Sequence, residues 1–180
     1  INSTHLKANI YINTSMVGEH NIKNILASCI AHYCLDLNLE KFAMIINSKN
    51  RKNIRLTKMK WIGGSTLIDD SYNANPDSAK KSIDLLSRYK KRKFLILGDM
   101  LELGRYRKKL HKNIGEYANA KGIDVLIGYG KLTKYAIDSF GKNGIYFIKE
   151  EELKGYLKEN ITSKDVILIK GSRGMKMERF

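Results

Sequence analysis

The sequence predicts an α/β fold, in which one complete domain with a mostly parallel sheet follows the remnant of another domain. Beyond residue 65, apolar stretches of four or five residues alternate with helical patterns of about ten to fifteen residues. This alternation is typical of right-handed β-α-β crossovers and of a sheet covered on both faces. The first 50 residues carry two helical patterns instead. Residues 51–180 are therefore predicted to form a Rossmann-like domain.

The first 50 residues are predicted to contain a short strand and two helices. Residues 9–13 resemble a strand, apolar residues recur at helical spacing from Asn21 to Tyr33, and a second helical pattern covers Leu39 to Ile46. Residues 47–53 are polar and basic, which is the composition of a connection. We therefore place the domain boundary near residue 50, giving domains 1–50 and 51–180.

The second domain begins with a predicted hairpin and continues with alternating helices and strands. Gly63 and Gly64 separate two strand-like segments and suit the positive backbone angles of a tight turn. Asp77 and Ser78 are candidates to cap the next helix. The remaining elements are strand 94–97, helix 107–121, strand 125–127, helix 132–140, strand 145–148, helix 151–159 and strand 166–169.

Composition indicates a globular protein outside the membrane. The chain has 180 residues, of which 43% are hydrophobic and 28% charged, with one proline. No apolar run approaches the ~18–20 residues of a membrane-spanning helix, so we expect no membrane insertion and a cytoplasmic location. We also expect a monomer. Cys29 and Cys34 lie on different helix faces, and the four histidines have no metal-binding spacing. No metal-binding residue is predicted.

A net charge of +15 has two explanations. Nucleic-acid-binding proteins are commonly basic, but the lysines here are spread over most of the sequence, and the densest runs lie at the edges of predicted elements. This distribution favours solvated surface. We expect no nucleic-acid partner.

Polar residues follow three of the predicted strands, at the sheet edge where ligands bind in this class of fold. Asp69 and Asp70 come first, and their carboxylates suit either ribose hydroxyls or the cap of the next helix. The sequence leaves both explanations open. Arg55, before the hairpin, could reach a phosphate or remain solvated.

The other two polar loops offer charges of opposite sign. Asp99 and Glu102 lie in the loop 98–104 and suit a cationic group, although glycine-bracketed turns are common in α/β proteins. Lys170, Ser172 and Arg173 lie at the predicted start of a helix, which is a natural anion site. His111, on the helix that follows the loop 98–104, is expected to be a surface or packing histidine and not a catalytic one.

Four segments in this order resemble motifs of the Mur ligase family. They read GEHNIKNILA (18–27), DDSYNANP (69–76), LGDMLELG (97–104) and KGSRGMKME (170–178). They are most similar to the branch that adds D-alanyl-D-alanine to UDP-N-acetylmuramoyl-tripeptide in peptidoglycan synthesis. The resemblance implies that residues 1–50 end a P-loop-type central ATPase domain and that 51–180 are the C-terminal ligase domain. No GxxxxGK[ST] loop occurs in the chain, so we expect the fragment alone to be inactive.

The resemblance also implies ATP and Mg²⁺ as cofactors, an acyl phosphate intermediate, and a role for each matching residue. Mg²⁺ is expected to bind mainly central-domain residues that this chain lacks. The nucleotide-binding residues are Asn21, Asn24, Arg55, Asp70, Asn73 and Asn75. The substrate-binding residues are Asp99, Glu102, Lys170, Ser172 and Arg173. Lys170 and Arg55 are the catalytic residues implied.

Two other functions remain open at this stage. A sister ligase would add a single amino acid to the same precursor with the same cofactors and would differ in the loop 98–104. A stand-alone nucleotide- or nucleic-acid-binding module would account for the charge and for the missing P-loop. The sequence DMLELG favours the dipeptide-adding branch.

Overall fold

The computed structural model describes residues 10–13, 19–48 and 56–180, with the side chains of 19–21 left out. The chain divides into two compact units, Ile1–Lys52 and Asn53–Phe180. The first contains the helices α1 (Glu19–Cys34) and α2 (Leu39–Asn47). Whether it derives from an ATPase domain stays a prediction.

The described part of the first unit is helical. The side chain of Asn38 caps α2 by accepting a hydrogen bond from the amide of Lys41 at 2.7 Å. The predicted strand is wrong for residues 10–13, which form no strand; residue 9 lies outside the described residues. A single strand has no partner for its backbone groups here, and the amide of Asn13 instead donates to Oδ1 of Asn47 at 2.7 Å.

The second unit contains a six-stranded sheet. Its elements are β1 (Thr57–Lys60), β2 (Thr66–Asp70), α3 (Pro76–Ser87), β3 (Arg92–Gly98), α4 (Arg107–Ala120), β4 (Val125–Tyr129), α5 (Thr133–Phe140), β5 (Gly144–Phe147), α6 (Glu150–Asn160) and β6 (Asp165–Lys170). The strand order is β1-β2-β6-β3-β4-β5. Only β1 and β2 pair antiparallel. The predicted α/β class with a mostly parallel sheet is confirmed, and Gly63 and Gly64 lie between β1 and β2 with φ of 62° and 77°.

Two hydrophobic clusters cover the two faces of the sheet. One contains the apolar side of α3, α4 and α5, and the other contains that of α6. The reason is the handedness of the crossovers. The connections from β2 through β5 run in one direction across the sheet, whereas the connection from β5 to β6 runs back, which places α6 on the opposite face.

Two local predictions about loop ends are wrong. Asn75, and not Asp77 or Ser78, is the N-cap of α3, because Pro76 occupies the first helical turn and its predecessor is extended. Ser78 completes a capping box by accepting from the amide of Asn75 at 3.1 Å. After β6, no α-helix begins; a short 3₁₀ turn (Arg173–Met175) ends at Lys176, whose φ of 48° is left-handed.

Candidate functional site at the carboxyl edge of the sheet

The carboxyl ends of β2 and β6 are joined by a buried ion pair. Asp70 and Lys170 are register partners on these adjacent strands. Nζ of Lys170 lies 2.5 Å from Oδ2 of Asp70, and the Lys170 side chain is 2% exposed. Ser82 donates to the same Oδ2 at 2.7 Å, and Nζ also donates to the carbonyl of Asn73 at 3.0 Å. Lys170 is thus bonded to the chain itself and not turned toward solvent.

Ser172 connects the three polar loops. Its hydroxyl accepts from the amide of Leu101 at 2.8 Å and lies 3.2 Å from the carbonyl of Ala74, to which it donates. Its own amide donates to the carbonyl of Asp99 at 3.1 Å. The loop after β6 therefore hydrogen-bonds both of the other two loops that are predicted to bind ligand.

Asp99 is buried and faces the start of α5. Its Oδ1 accepts from the amides of Leu132 and Thr133, both at 2.9 Å, so it caps this helix from another loop. Gly130 makes room for it, because a Cβ there would lie 2.7 Å from Cγ of Asp99, and its φ is 119°. The Asp99 carboxylate, which is predicted to bind substrate, therefore has a structural partner on one of its two oxygens.

His111 holds the loop 98–104 against α4. It is fully buried. Nδ1 lies 2.7 Å from the carbonyl of Arg107, and Nε2 lies 2.9 Å from the amide of Met100. The carbonyl requires a proton on Nδ1, and the amide requires a lone pair on Nε2, so the ring is neutral. Burial lowers the pKa of His111 below its ordinary value. The expected packing role agrees with this placement.

Met177 fills the space that two motif glycines leave open. Its side chain is fully buried. A Cβ on Gly98 would lie 2.6 Å from its sulfur, and a Cβ on Gly171 would lie 2.5 Å from its Cγ. These two glycines end β3 and follow β6, so Met177 anchors the last residues of the chain to the carboxyl edge.

The exposed residues of this edge are the ones available to a ligand. Asn73 and Glu102 are exposed, and Glu102 has a φ of 62°. Arg173 is exposed, pairs with Glu178 at 3.0 Å, and lies over the ring of Tyr72 at 5.8 Å. Asn75 is exposed, but its side-chain oxygen is the N-cap acceptor.

The remaining predicted residues belong to the first unit or lie outside the described residues. Asn24 is exposed on α1 in the first unit. Asn21 belongs to the same helix, and its side chain is outside the described residues. Arg55 is likewise outside them. The structure therefore brings together the sequence-predicted residues of the three loops and leaves the roles of these three as predictions.

Sequence reasoning missed three residues at this edge. Met177 and Gly130 are needed for packing, and Tyr72 is an exposed aromatic ring beside Arg173. Tyr72 lies inside a motif that the sequence analysis singled out, and a large exposed side chain in a polar loop was the available signal. Met177 also lies inside a quoted motif (170–178), but its packing against Gly98, like the fit of Gly130 against Asp99, depends on residues far away in sequence.

The described residues were also searched for metal and membrane features. Within them, no group of three or more His, Cys, Asp or Glu side chains could hold a metal ion. No helix in the described ranges is long and apolar enough to cross a membrane.

The family model described as Mur ligase, glutamate ligase domain, matches residues 55–173 of this sequence. This chain belongs to the Mur ligase family. The match contains all six strands, the polar loops after β2 and β3, and the third polar loop as far as Arg173.

Relatives and solved structures in the Mur ligase family agree with the fold. The UDP-N-acetylmuramoyl-tripeptide–D-alanyl-D-alanine ligase of Bacillus subtilis is 36% identical over 171 residues, covering 91% of this chain and 37% of its own length. MurF from Acinetobacter baumannii superposes with a TM-score of 0.72 at 25% identity over 93% of this chain and 38% of its own. MurF from Thermotoga maritima in complex with ADP superposes with a TM-score of 0.65 at 26% identity. The match covers 89% of this chain and 36% of that protein's chain. This Mur ligase chain thus spans little more than a third of their length.

Proposed function

We propose that this chain is the C-terminal part of a cytoplasmic ATP-dependent ligase that adds D-alanyl-D-alanine to UDP-N-acetylmuramoyl-tripeptide. One observation carries the proposal. The loop after β6 hydrogen-bonds the motif loops after β2 and β3 at the carboxyl edge of the sheet, which is where ligands bind in this class of fold. The 36% identity to the Bacillus subtilis ligase of that name supports the choice of substrates.

The proposed reaction has two steps. The terminal carboxylate oxygen of the tripeptide attacks the γ-phosphorus of ATP, which forms an acyl phosphate and releases ADP. The amine of D-alanyl-D-alanine then attacks the acyl carbon, loses a proton, and expels inorganic phosphate as the peptide bond forms. Both steps develop negative charge, which positively charged groups and a bound Mg²⁺ stabilise. No described residue of this chain is assigned to the metal.

Residues of the carboxyl edge are proposed to bind the two reactants. Asp70 accepts from ribose through the oxygen that Lys170 and Ser82 do not use, and Asn73 lies on the same loop. Glu102 and Arg173 carry opposite charges at the exposed side of the edge, which suits the ammonium and carboxylate of a zwitterionic dipeptide. Arg55, Asn21 and Asn24 keep their proposed nucleotide roles.

The first unit is proposed to be the end of the central ATPase domain. Its helices leave large apolar side chains in solvent, including Ile22 at 62% and Met44 at 72% exposure. Contiguous exposed apolar side chains on a small unit indicate a surface that another part of the protein covers. This supports a larger domain of which residues 1–50 are the end, and a source for the P-loop that the chain lacks.

A ligation assay with the intact enzyme tests the proposal. It contains ATP, Mg²⁺, UDP-N-acetylmuramoyl-tripeptide and D-alanyl-D-alanine, with product mass and phosphate release as readouts. We expect one phosphate per dipeptide added. Single amino acids with their own acceptors are the matched substrates, and residues 1–180 alone are the negative control. Turnover with a single amino acid instead of the dipeptide would reassign the chain to a sister ligase.

A second outcome would overturn the proposal altogether. If the intact protein ligates nothing, while binding to random duplex DNA persists at ~0.2 M salt, the basic surface serves nucleic acid. Binding that rests only on dispersed lysines should weaken steeply with salt, because counterion release drives it.

A further inference from the structure

Lys170 is committed to atoms of its own chain. Its Nζ donates to Oδ2 of Asp70 at 2.5 Å and to the carbonyl of Asn73 at 3.0 Å, and the side chain is 2% exposed. An ammonium group taken out of water loses several kcal/mol of hydration unless close partners replace it. In this structure the Asp70 carboxylate and the Asn73 carbonyl replace the water that the Lys170 ammonium has lost. A cation meant for an anionic substrate would have to break these bonds.

The hydrogen bonds that Asp70 accepts fix the orientation in which its carboxylate would meet a ligand. Lys170 and Ser82 both donate to Oδ2, and two donors on one oxygen fix the plane of the carboxylate. Oδ1 is therefore held in one orientation. The bond from Lys170 to the Asn73 carbonyl holds the loop that follows, so one ammonium sets the position of both groups.

We propose that Lys170 is a positioning residue, which orients Asp70 and the Asn73 loop for the nucleotide and makes no contact with substrate. The proposal rests on the proposed function, in which Asp70 binds ribose. It replaces the catalytic role that the sequence implied for Lys170. Ser82 assists, because its hydroxyl donates its one proton to Oδ2 of Asp70; the carbonyl of Ser78, 2.9 Å away, is the competing acceptor.

The decisive readout is discrimination between ATP and its 2′-deoxy and 3′-deoxy analogues, measured as ratios of kcat/KM for ligation by the intact enzyme. If Lys170 acts through the ribose contact of Asp70, Lys170→Met lowers the discrimination about tenfold. Asp70→Asn lowers it as much, and the double variant lowers it no further, since the two residues act as one unit. Lys164→Met, an exposed lysine just before β6, is the matched control and leaves it unchanged.

A stability measurement keeps the test valid if Lys170→Met folds poorly. Removing the ammonium leaves the Asp70 carboxylate buried and without its ion-pair partner, so adding Asp70→Asn should raise the unfolding temperature above that of Lys170→Met alone. Ser82→Ala removes one donor to Oδ2 and should lower discrimination in the same direction, by less. This variant keeps the ion pair and therefore the fold.

The outcomes separate the two claims. If Lys170→Met lowers kcat equally with all three nucleotides and keeps the discrimination, Lys170 acts on the reacting groups and the positioning role is wrong. If the wild-type enzyme ligates but does not discriminate, Asp70 makes no ribose contact, and the positioning role fails while the ligase assignment stands. If the wild-type enzyme does not ligate, the proposed function fails, and the positioning role that rests on it fails as well.

Discussion

The hydroxyl of Ser172 accepts a hydrogen bond from the backbone amide of Leu101, 71 residues earlier in the chain, at 2.8 Å. The same hydroxyl lies 3.2 Å from the carbonyl of Ala74, to which it donates. One side chain thereby joins the loops that follow β2, β3 and β6. Because these loops contain no strand or α-helix of their own, such bonds determine where their exposed residues lie.

Ser172→Ala should lower the free energy of unfolding by ~1–3 kcal/mol, because the Leu101 amide and the Ala74 carbonyl lose their partner in a buried environment. Thermal or urea unfolding of the chain measures this. Ser163→Ala, an exposed serine at the opposite edge of the sheet, should stay within ~0.5 kcal/mol of wild type. Equal effects from the two substitutions would show that Ser172 does not hold the loops together.

His111 should make stability depend on pH. Burial lowers its folded-state pKa below the unfolded value of about 6.5, so the unfolded chain takes up the proton first as the pH falls. The contribution of His111 is therefore full above pH ~6.5 and decreases below it, down to the folded-state pKa. In His111→Gln, whose side chain can accept from Met100 without titrating, this part of the pH dependence should be absent.

The measurement is the difference between the wild-type and His111→Gln unfolding free energies across pH 4–8, in which other titrating groups cancel. We expect a difference that is flat above pH ~6.5 and falls toward lower pH. A difference that rises on acidification would mean that His111 is protonated in the folded protein and that its tautomer is assigned wrongly.

Two helical glycines should respond to alanine with opposite signs. A methyl group at Gly115 in α4 would overlap the Ala136 carbonyl and the Ser139 hydroxyl of α5, whereas one at Gly155 in α6 meets nothing within 4 Å. Gly155→Ala should therefore stabilise by ~1 kcal/mol through helix propensity, and Gly115→Ala should destabilise by ~1–3 kcal/mol through overpacking. Thermal unfolding distinguishes them, and a stabilising Gly115→Ala would contradict the close packing of α4 on α5.

Local pattern predicts the elements of this fold better than their arrangement. The alternation of apolar strands and amphipathic helices specifies the helices α3 to α6 and their order, because both periods are visible in short windows. The insertion of β6 between β2 and β3 depends on pairing between residues about 100 apart, such as Asp70 with Lys170. No local pattern encodes that choice.

Local sequence patterns likewise predict the roles of the site residues only in part. The predicted strand 166–169 ends before Lys170, because an isolated lysine suggests a loop. The observed strand includes Lys170, because Asp70 on the neighbouring strand neutralises its charge. The cap of α3 was predictable, since Pro76 marks the first helical turn and points to Asn75. The sequence predicts that Asp99 binds substrate, whereas its bonds to α5 are visible only in three dimensions.

The central claim is that the carboxyl edge of this sheet binds the reactants of a ligase. Hydrogen–deuterium exchange of the intact enzyme, with and without ATP and UDP-N-acetylmuramoyl-tripeptide, measures it most directly. We predict slower exchange in residues 71–75 and 99–103, and unchanged exchange in residues 121–124 and 161–164 at the opposite edge. Protection confined to the opposite edge, or no change in the loops of an enzyme that ligates, would contradict the account.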